Sequence, residues 1–322
     1  MVRISDLTRL PPLNGSVVTD GMFDGLHLGH QKILKTLVGE ARAKGLPSVV
    51  LSYWPHPRLV LHPEDTSLKI LTTADEKRVV LEELGLDYFI TLPFSLEFAA
   101  LSHHRFLEEI LWERLHVRKL LVGYDHRFGK DRMGNVEYLQ RRGGELGFEV
   151  EEVPRQEVEE IGVSSTRIRK ALQEFDIGLA NRFLGRPYTI TGKVVPGDQK
   201  GRLLGYPTAN LETSEKAKLI PADGVYLCRV KRAGIWMPAM TNIGYRPTVG
   251  GREHRLETHI LGFSGDLYGQ TLTLEFLDTL RKEQRFPDMD ALRQQLQADE
   301  AEALRRFALR VNGQADWPHA SA

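Results

Sequence analysis

Three things are scarce in this chain of 322 residues: cysteine, net charge and long apolar runs. The single cysteine, Cys228, excludes an intrachain disulfide and a cysteine-based zinc cluster, and it fits a reducing compartment. Lys and Arg total 43 against 43 Asp and Glu, a formal charge of zero. That balance argues against a general nucleic-acid binder, which usually carries a basic excess, although local patches can still take anions. No run approaches the ~18 apolar residues of a spanning helix, and the opening MVRISDLTRLPPLNG lacks the continuous apolar stretch of a signal peptide. The expectation is a soluble, cytoplasmic protein with no membrane partner. Hydrophobic types at 41% and aromatics at 8% exclude a disordered or fibrous chain. At roughly 150 residues per domain, the length suggests about two domains.

What is present changes texture part-way along. Val17-Val18 leads into a Gly-rich turn, and HQKILKTLVGEARAKG then spaces Ile33, Leu34, Leu37, Val38 and Ala41 at helical intervals. The apolar run Val49-Val50-Leu51 follows, then TTADEKRVVLEELG, which Thr72 or Thr73 can cap as a helix. YFITL, KLLVG and FEVEEV read as strands, with SLEFAALSHHRFLEEILWERLH and NVEYLQRRGGELG as helices between them. Alternating strands and helices, with strands apolar throughout, predict a parallel sheet covered on both faces. SSTRIRKALQEFDIGLANRFLG adds two short helices.

From Gly185 onward the segments YTITGKVV, GVYLCRV, IWMPAMTNI, LETHILGF and QTLTLEFL read as closely spaced strands, which predicts an antiparallel barrel or sandwich. A closing helix, MDALRQQLQADEAEALRRFALR, places Leu292, Leu296 and, less regularly, Ala303 and Leu304 on a packing face. The expected domains are therefore 1–184, 185–312 and a frayed tail 313–322.

The first chemical constellation is Gly21 to Gln31, between a predicted strand and a predicted helix. Ligands of open parallel sheets bind outside the carboxyl ends of the strands. Gly25 and Gly29 permit tight turning and close backbone approach. A helix beginning near His30 offers free N–H groups and a positive dipole end to an anion. His27 and His30 can donate hydrogen bonds to phosphate oxygens there. The spacing is not the dinucleotide GxGxxG. Ser52-Tyr53-Trp54-Pro55-His56-Pro57 follows the second strand, where Trp54 is either a core cap or a ligand contact. Ser164-Ser165-Thr166-Arg167-Ile168-Arg169 opens a helix, and reads either as an N-cap with solvated arginines or as a phosphate clamp. Gly123 to Asp131 imitates a phosphate loop, but five residues separate its glycines and Asp131 follows the lysine instead of Ser or Thr.

The second constellation is GRLLGYPTAN. Gly201 and Gly205 keep a loop close to a ligand, and Pro207 stiffens it. Thr208 and Asn210 are hard oxygen donors suited to Mg²⁺ or phosphate, or else parts of an ordinary turn. In Leu256-Glu257-Thr258-His259-Ile260, alternation puts Glu257 and His259 on one face. A zinc reading from His254, Glu257 and His259 lacks a fourth ligand.

Taken in order, GxFDGxHxGHQ, the PHP loop, VGYDxRFG, SSTRIR, GRPYTITGKVV, GRLLGYPTAN, GVY, NIGYRPTVG, LETHIL, DLYGQ and LRKEQRF resemble the prokaryotic bifunctional riboflavin kinase/FAD synthetase family over residues from about 15 to 310. The resemblance implies an N-terminal nucleotidyltransferase-type, Rossmann-like parallel sheet and a C-terminal six-stranded antiparallel riboflavin kinase barrel with its closing helix. It implies ATP-dependent phosphorylation of riboflavin to FMN, then adenylylation of FMN by ATP to FAD with release of pyrophosphate. The weighed alternative is another nucleotidyltransferase with the barrel as an accessory binding domain.

The implied partners are small-molecule flavins and nucleotides, with no nucleic acid and no membrane. On the same analogy His27 and His30 steady the ATP phosphates as catalytic residues, and Ser165, Thr166 and Arg167 close over the triphosphate. Phe23, Asp24, Gly25 and Gly29 shape that nucleotide site, with Gly201 and Arg202 serving ATP in the barrel. His56, Asp125 and Arg127 fall on the flavin side of the first domain, and Arg281, Glu283 and Phe286 on the flavin side of the second. Glu257 is the implied kinase base, and Thr208 and Asn210 the implied contacts to Mg²⁺. Three positions depart from the family pattern: Met22 stands where a small polar residue is common, His126 where an aromatic is, and Pro196 where a histidine is usual.

Overall fold

The computed structural model describes residues 1–123, 126–153, 162–197, 200–248 and 251–311. Asp125 and the tail 313–322 lie outside the described residues. The backbone divides into two compact units, Met1–Ser164 and Ser165–Ala322.

The first unit is a six-stranded parallel sheet in the order β1-β4-β3-β2-β5-β6. Its strands are β1 (Val2–Ile4), β2 (Ser16–Asp20), β3 (Ser48–Trp54), β4 (Tyr88–Pro93), β5 (Val117–Gly123) and β6 (Glu149–Val153). Every residue of β2 is buried, as a strand with neighbours on both edges and helices on both faces must be. One face packs Val18, Leu51, Ile90 and Leu120 against Phe106, Leu107 and Leu139. The other packs Val17, Val50, Phe89 and Leu121 against Leu34, Leu37, Val38 and Ala41 of helix α1 (Leu28–Lys44). Successive residues of each strand therefore serve opposite cores. Helix α2 is Pro57–Leu61. Helix α3 (Ala74–Glu83) starts at Thr73, whose side chain and that of Glu76 form a reciprocal capping box. After β2 the chain builds outward through β3 and β4, then crosses back to lay β5 on the other side. The reversal leaves a crevice at the carboxyl ends of β2 and β5.

The second unit opens with helices α4 (Ser165–Gln173) and α5 (Ile177–Leu184). A closed barrel follows in the order β10-β11-β8-β7-β12-β9. Its strands are β7 (Tyr188–Val195), β8 (Ala209–Thr213), β9 (Gly224–Arg232), β10 (Ile235–Thr248), β11 (Gly251–Ile260) and β12 (Thr271–Arg281). Asn181 ties α5 to the barrel, donating to the Phe276 carbonyl at 2.8 Å and accepting from the Tyr188 N–H at 2.7 Å. Compactness thus groups both helices with the barrel, ahead of the change in texture at Gly185.

Helix α6 (Met289–Val311) closes one outer face, where Ala303 meets Tyr206, Leu227, Met240, Leu261 and Leu277. Ala303 is 0% exposed, but Leu304 is 45% exposed, so the expected packing face is corrected at that position. The helix turns by about 100° per residue, and Ala303, Phe307 and Leu296 already fill the contact stripe. A second correction concerns PTAN: Asn210 is not on a loop but on β8, the strand that completes the barrel.

Candidate active sites

In the first unit the turn Gly21–His27 runs from the carboxyl end of β2 to the start of α1. Phe23, Gly25 and Leu26 all take positive φ (46°, 86° and 45°), a strained run for two residues with side chains. Burial of Phe23 and Leu26 in the core beside α1 holds it in place. The Asp24 carboxylate accepts the backbone N–H of Leu71 at 2.9 Å and of Thr72 at 3.1 Å, and the Gly25 N–H donates to the Thr72 hydroxyl at 3.0 Å. Asp24 thus shapes the turn by stitching it to a neighbouring segment. Buried Lys77 does the same from α3, donating to the Met22 carbonyl; burial holds its ammonium at about 8, against the pull of Asp24.

His27 caps α1, its Nδ1 accepting the His30 N–H at 3.3 Å. The two imidazoles stack with centroids 3.6 Å apart, and the Phe23 ring meets His30 edge-on at 5.4 Å. Burial pushes His27 down to about 4. His30 lies well below its ordinary value for the same reason, reinforced by His27 and Lys77. Both rings are therefore neutral near pH 7, and His30 keeps a buried Nδ1 without a partner among the described residues.

At the carboxyl ends of β2, β3 and β5 a polar trio meets. The Tyr53 hydroxyl donates to Asp20 Oδ1 at 2.6 Å, and His126 Nε2 lies 3.6 Å from Asp20 Oδ2. Burial raises the Asp20 carboxyl, while His126 and Tyr53 pull it back. His126, the departure noted in sequence, thus has a carboxylate facing it and stacks on Phe128 at 5.6 Å. His56 caps α2, accepting the Arg58 N–H at 3.2 Å, and Arg127 is exposed. Ser165, Thr166 and Arg167 form the first turn of α4 in the second unit, Arg167 lying over the Phe183 ring at 4.8 Å.

In the barrel, Glu257 is paired in register with Asn210 on β8 and with Asn242 on β10. The Asn210 Oδ1 is buried and makes no hydrogen bond among the described residues. A buried hard acceptor opposite a carboxylate in strand register, two residues along from the cleft-lining Thr208, is the donor chemistry Mg²⁺ takes. Next to it opens a cleft of about 680 Å³, lined by Arg202, Pro207, Thr208, Phe263, Asp266 and Tyr268 among others. The Gly201 Cα faces the Tyr206 carbonyl so closely that a Cβ would sit 2.3 Å from its oxygen, which confines that position to glycine. The zinc reading does not assemble: His254 turns to Asp223 at 2.8 Å and His259 to the Pro207 carbonyl at 2.8 Å.

Comparison with known proteins agrees with this two-part layout. The FAD synthetase family matches residues 11–167 and the riboflavin kinase family residues 184–307. A bifunctional riboflavin kinase/FMN adenylyltransferase of Pseudomonas fluorescens is 41% identical, over 91% of this chain and 93% of that one. The Escherichia coli K12 enzyme of the same name is 39% identical, over 92% and 95%.

The chain belongs to the bifunctional riboflavin kinase/FMN adenylyltransferase family.

A solved structure from Streptococcus pneumoniae, named as a macrolide-efflux protein, superposes with a TM-score of 0.82 at 32% identity, covering 94% of this chain and 98% of that one. Among the described residues here, no helix is long and apolar enough to cross a membrane.

Seen as a family member, the chain holds its flavin-side candidates differently in the two units. Arg281 grips Asp299 of α6 with Nε at 2.9 Å and Nη2 at 2.9 Å, and lies over the Phe286 ring at 5.5 Å. It is a tie between barrel and helix. Glu283 is exposed beside Gly244 on β10. Sequence reasoning missed Lys77 and Asp20. Lys77 lies in an ordinary helical stretch. Asp20 ends an apolar strand, and its charge in that position was the one signal available.

Proposed function

We infer that the chain carries out two successive reactions at two separate sites. The barrel transfers the γ-phosphoryl of ATP to riboflavin, giving FMN and ADP. The parallel-sheet unit then joins FMN to the α-phosphorus of ATP, giving FAD and pyrophosphate. The observation that carries this reading is the seating of each motif set: the stacked His27–His30 pair on the crevice of one unit, and the Glu257–Asn210 pair on the barrel of the other.

In the adenylyl step an FMN phosphate oxygen bonds to the α-phosphorus while the α–β bridging P–O bond breaks. FMN supplies the nucleophile, so the protein need only orient groups and stabilise charge. Neutral His27 and His30 suit that task as donors to phosphate oxygens at the start of α1. We assign Phe23, Asp24, Gly25 and Gly29 to building the turn that presents them. Ser165, Thr166 and Arg167 are proposed as donors to the triphosphate, and His56, Asp125, His126 and Arg127 as the flavin side.

In the kinase step Glu257 accepts the proton of the terminal ribityl hydroxyl as that oxygen bonds to phosphorus. Thr208 and Asn210 would hold Mg²⁺, which supplies charge neutralisation at the phosphates when bound. Arg202 borders the adjoining cleft and is proposed as its phosphate contact, with the Gly201 backbone close by. Arg281 positions the Phe286 segment by holding it to α6. A cytoplasmic setting, with ATP and flavins as its small-molecule partners, fits both reactions.

Incubation with riboflavin, ATP and Mg²⁺ followed by separation of the flavins tests the reading. FMN should appear first and FAD after it. FAD formed only from supplied FMN would leave the barrel as an accessory domain; no flavin product at all would overturn both assignments.

A further inference from the structure

We propose that His259 is a positioning residue of the phosphoryl-transfer site, fixing the turn that presents Thr208 and Asn210. The proposal rests on the reading of those two residues as the metal and phosphate donors. The paired residues of β8 and β11 end at Ala209 and Thr258. Two residues before Ala209, Pro207 has no N–H and cannot extend a ladder. There the His259 imidazole takes over, its Nδ1 lying 2.8 Å from the Pro207 carbonyl. A carbonyl oxygen only accepts, so Nδ1 carries the hydrogen and the tautomer is set. The Pro207 carbonyl belongs to the peptide that delivers Thr208, and Asn210 lies opposite Glu257 on the same pair of strands. His259 is two residues from Glu257 on one face of β11: both are half-buried, whereas Leu256, Thr258 and Ile260 between and around them are buried.

A second tie holds the same turn from outside. The Tyr206 ring meets the His259 ring edge-on, with centroids 5.1 Å apart. Its hydroxyl donates to Glu300 Oε2 of α6 at 2.9 Å. The residues before Thr208 are thus held between a strand bearing the candidate base and the closing helix. Loosening either tie would let the Thr208 and Asn210 oxygens drift relative to Glu257. A misplacement on the order of 1 Å costs about 10²-fold in rate.

The test compares His259→Ala, His259→Asn and Asn210→Ala in the full chain. Asn retains a donor close to the place of Nδ1, whereas Ala removes it. The readouts are kinase kcat and KM for Mg²⁺–ATP, adenylylation of supplied FMN, and amide hydrogen exchange of the peptide spanning 204–211. In His259→Ala, kinase kcat/KM should fall about 10- to 100-fold, exchange in that peptide should quicken, and FMN adenylylation should persist. His259→Asn should restore both kinase kinetics and protection. An Asn variant as defective as Ala overturns the hydrogen-bond role, also where the Ala variant fails to fold. So does an Ala variant with unchanged kinetics and exchange while Asn210→Ala is inactive. Full kinase activity in Asn210→Ala would instead overturn the reading on which the proposal stands.

Discussion

Glu257 shows how little a single residue declares about itself. An acidic residue on a half-buried strand is ordinarily a solvated one; its register partner Asn210, whose buried oxygen has no partner among the described residues, gives it a chemical setting. Glu257→Gln keeps size and hydrogen-bonding capacity but removes the carboxylate. Riboflavin phosphorylation at saturating ATP and Mg²⁺ should fall about 10²–10⁴-fold, while supplied FMN still becomes FAD. Normal saturated turnover in a folded Gln variant would remove Glu257 from the mechanism.

The histidine pair makes a second residue-scale prediction, in pH. Burial lowers His27 from 6.5 to about 4 in the folded chain, and lowers His30 as well. Between those values the unfolded chain binds protons that the folded chain does not, so stability is full above pH 6.5 and declines as pH falls towards 4. For His27 alone the loss is roughly 3 kcal/mol at the acid end. Urea midpoints measured from pH 7 to pH 4 should show the decline in the native chain. It should be shallower in His27→Asn, which keeps an acceptor for the His30 N–H without an imidazole. Equal slopes in the two proteins would show that the pair titrates as if solvated.

Elements were legible where a period or a cap spoke for them. The 3.6-residue spacing of Ile33, Leu34, Leu37, Val38 and Ala41 predicts α1, and all five are buried. A threonine cap, Thr72 or Thr73, announces α3, and the structure seats it at Thr73 with a capping box. The short β8 was not legible: its residues follow Pro207 in a run that reads equally as a turn, and only the closure of the barrel makes it a strand. Lys77 and Asp20 stayed hidden for a related reason, since each gains its meaning from partners on other elements, Met22 for one, Tyr53 and His126 for the other. Helix α6 offers the test at this scale, because sequence periodicity did not separate Ala303 from its neighbour. Leu304→Lys should change stability little, within about 0.5 kcal/mol. Ala303→Lys would drive an unpaired charge into the contact with Tyr206, Leu227 and Met240, and should destabilise the barrel by several kcal/mol. Thermal melts followed with riboflavin phosphorylation would rank the two, and equal effects would mean that α6 is not seated as described.

At the scale of the whole molecule, the residues proposed for the two reactions do not overlap: the His27–His30 pair lies in the first compact unit and the Glu257–Asn210 pair in the second. The two activities should therefore be separable by single substitutions. His30→Ala removes one ring of the stacked pair and should impair FMN adenylylation while riboflavin phosphorylation continues, so FMN accumulates. Glu257→Gln should do the reverse, leaving a chain that makes FAD only from added FMN. Mixing the two variants then asks how the intermediate travels. If FMN leaves the barrel into solution before meeting the crevice of any chain, the mixture should convert riboflavin to FAD after a lag while FMN builds up. The lag should shorten when FMN is added at the start or when the Glu257→Gln chain is in excess. A mixture that accumulates FMN to high concentration yet forms no FAD, although the Glu257→Gln chain alone adenylylates the same FMN, would require the barrel's product to be withheld from free exchange.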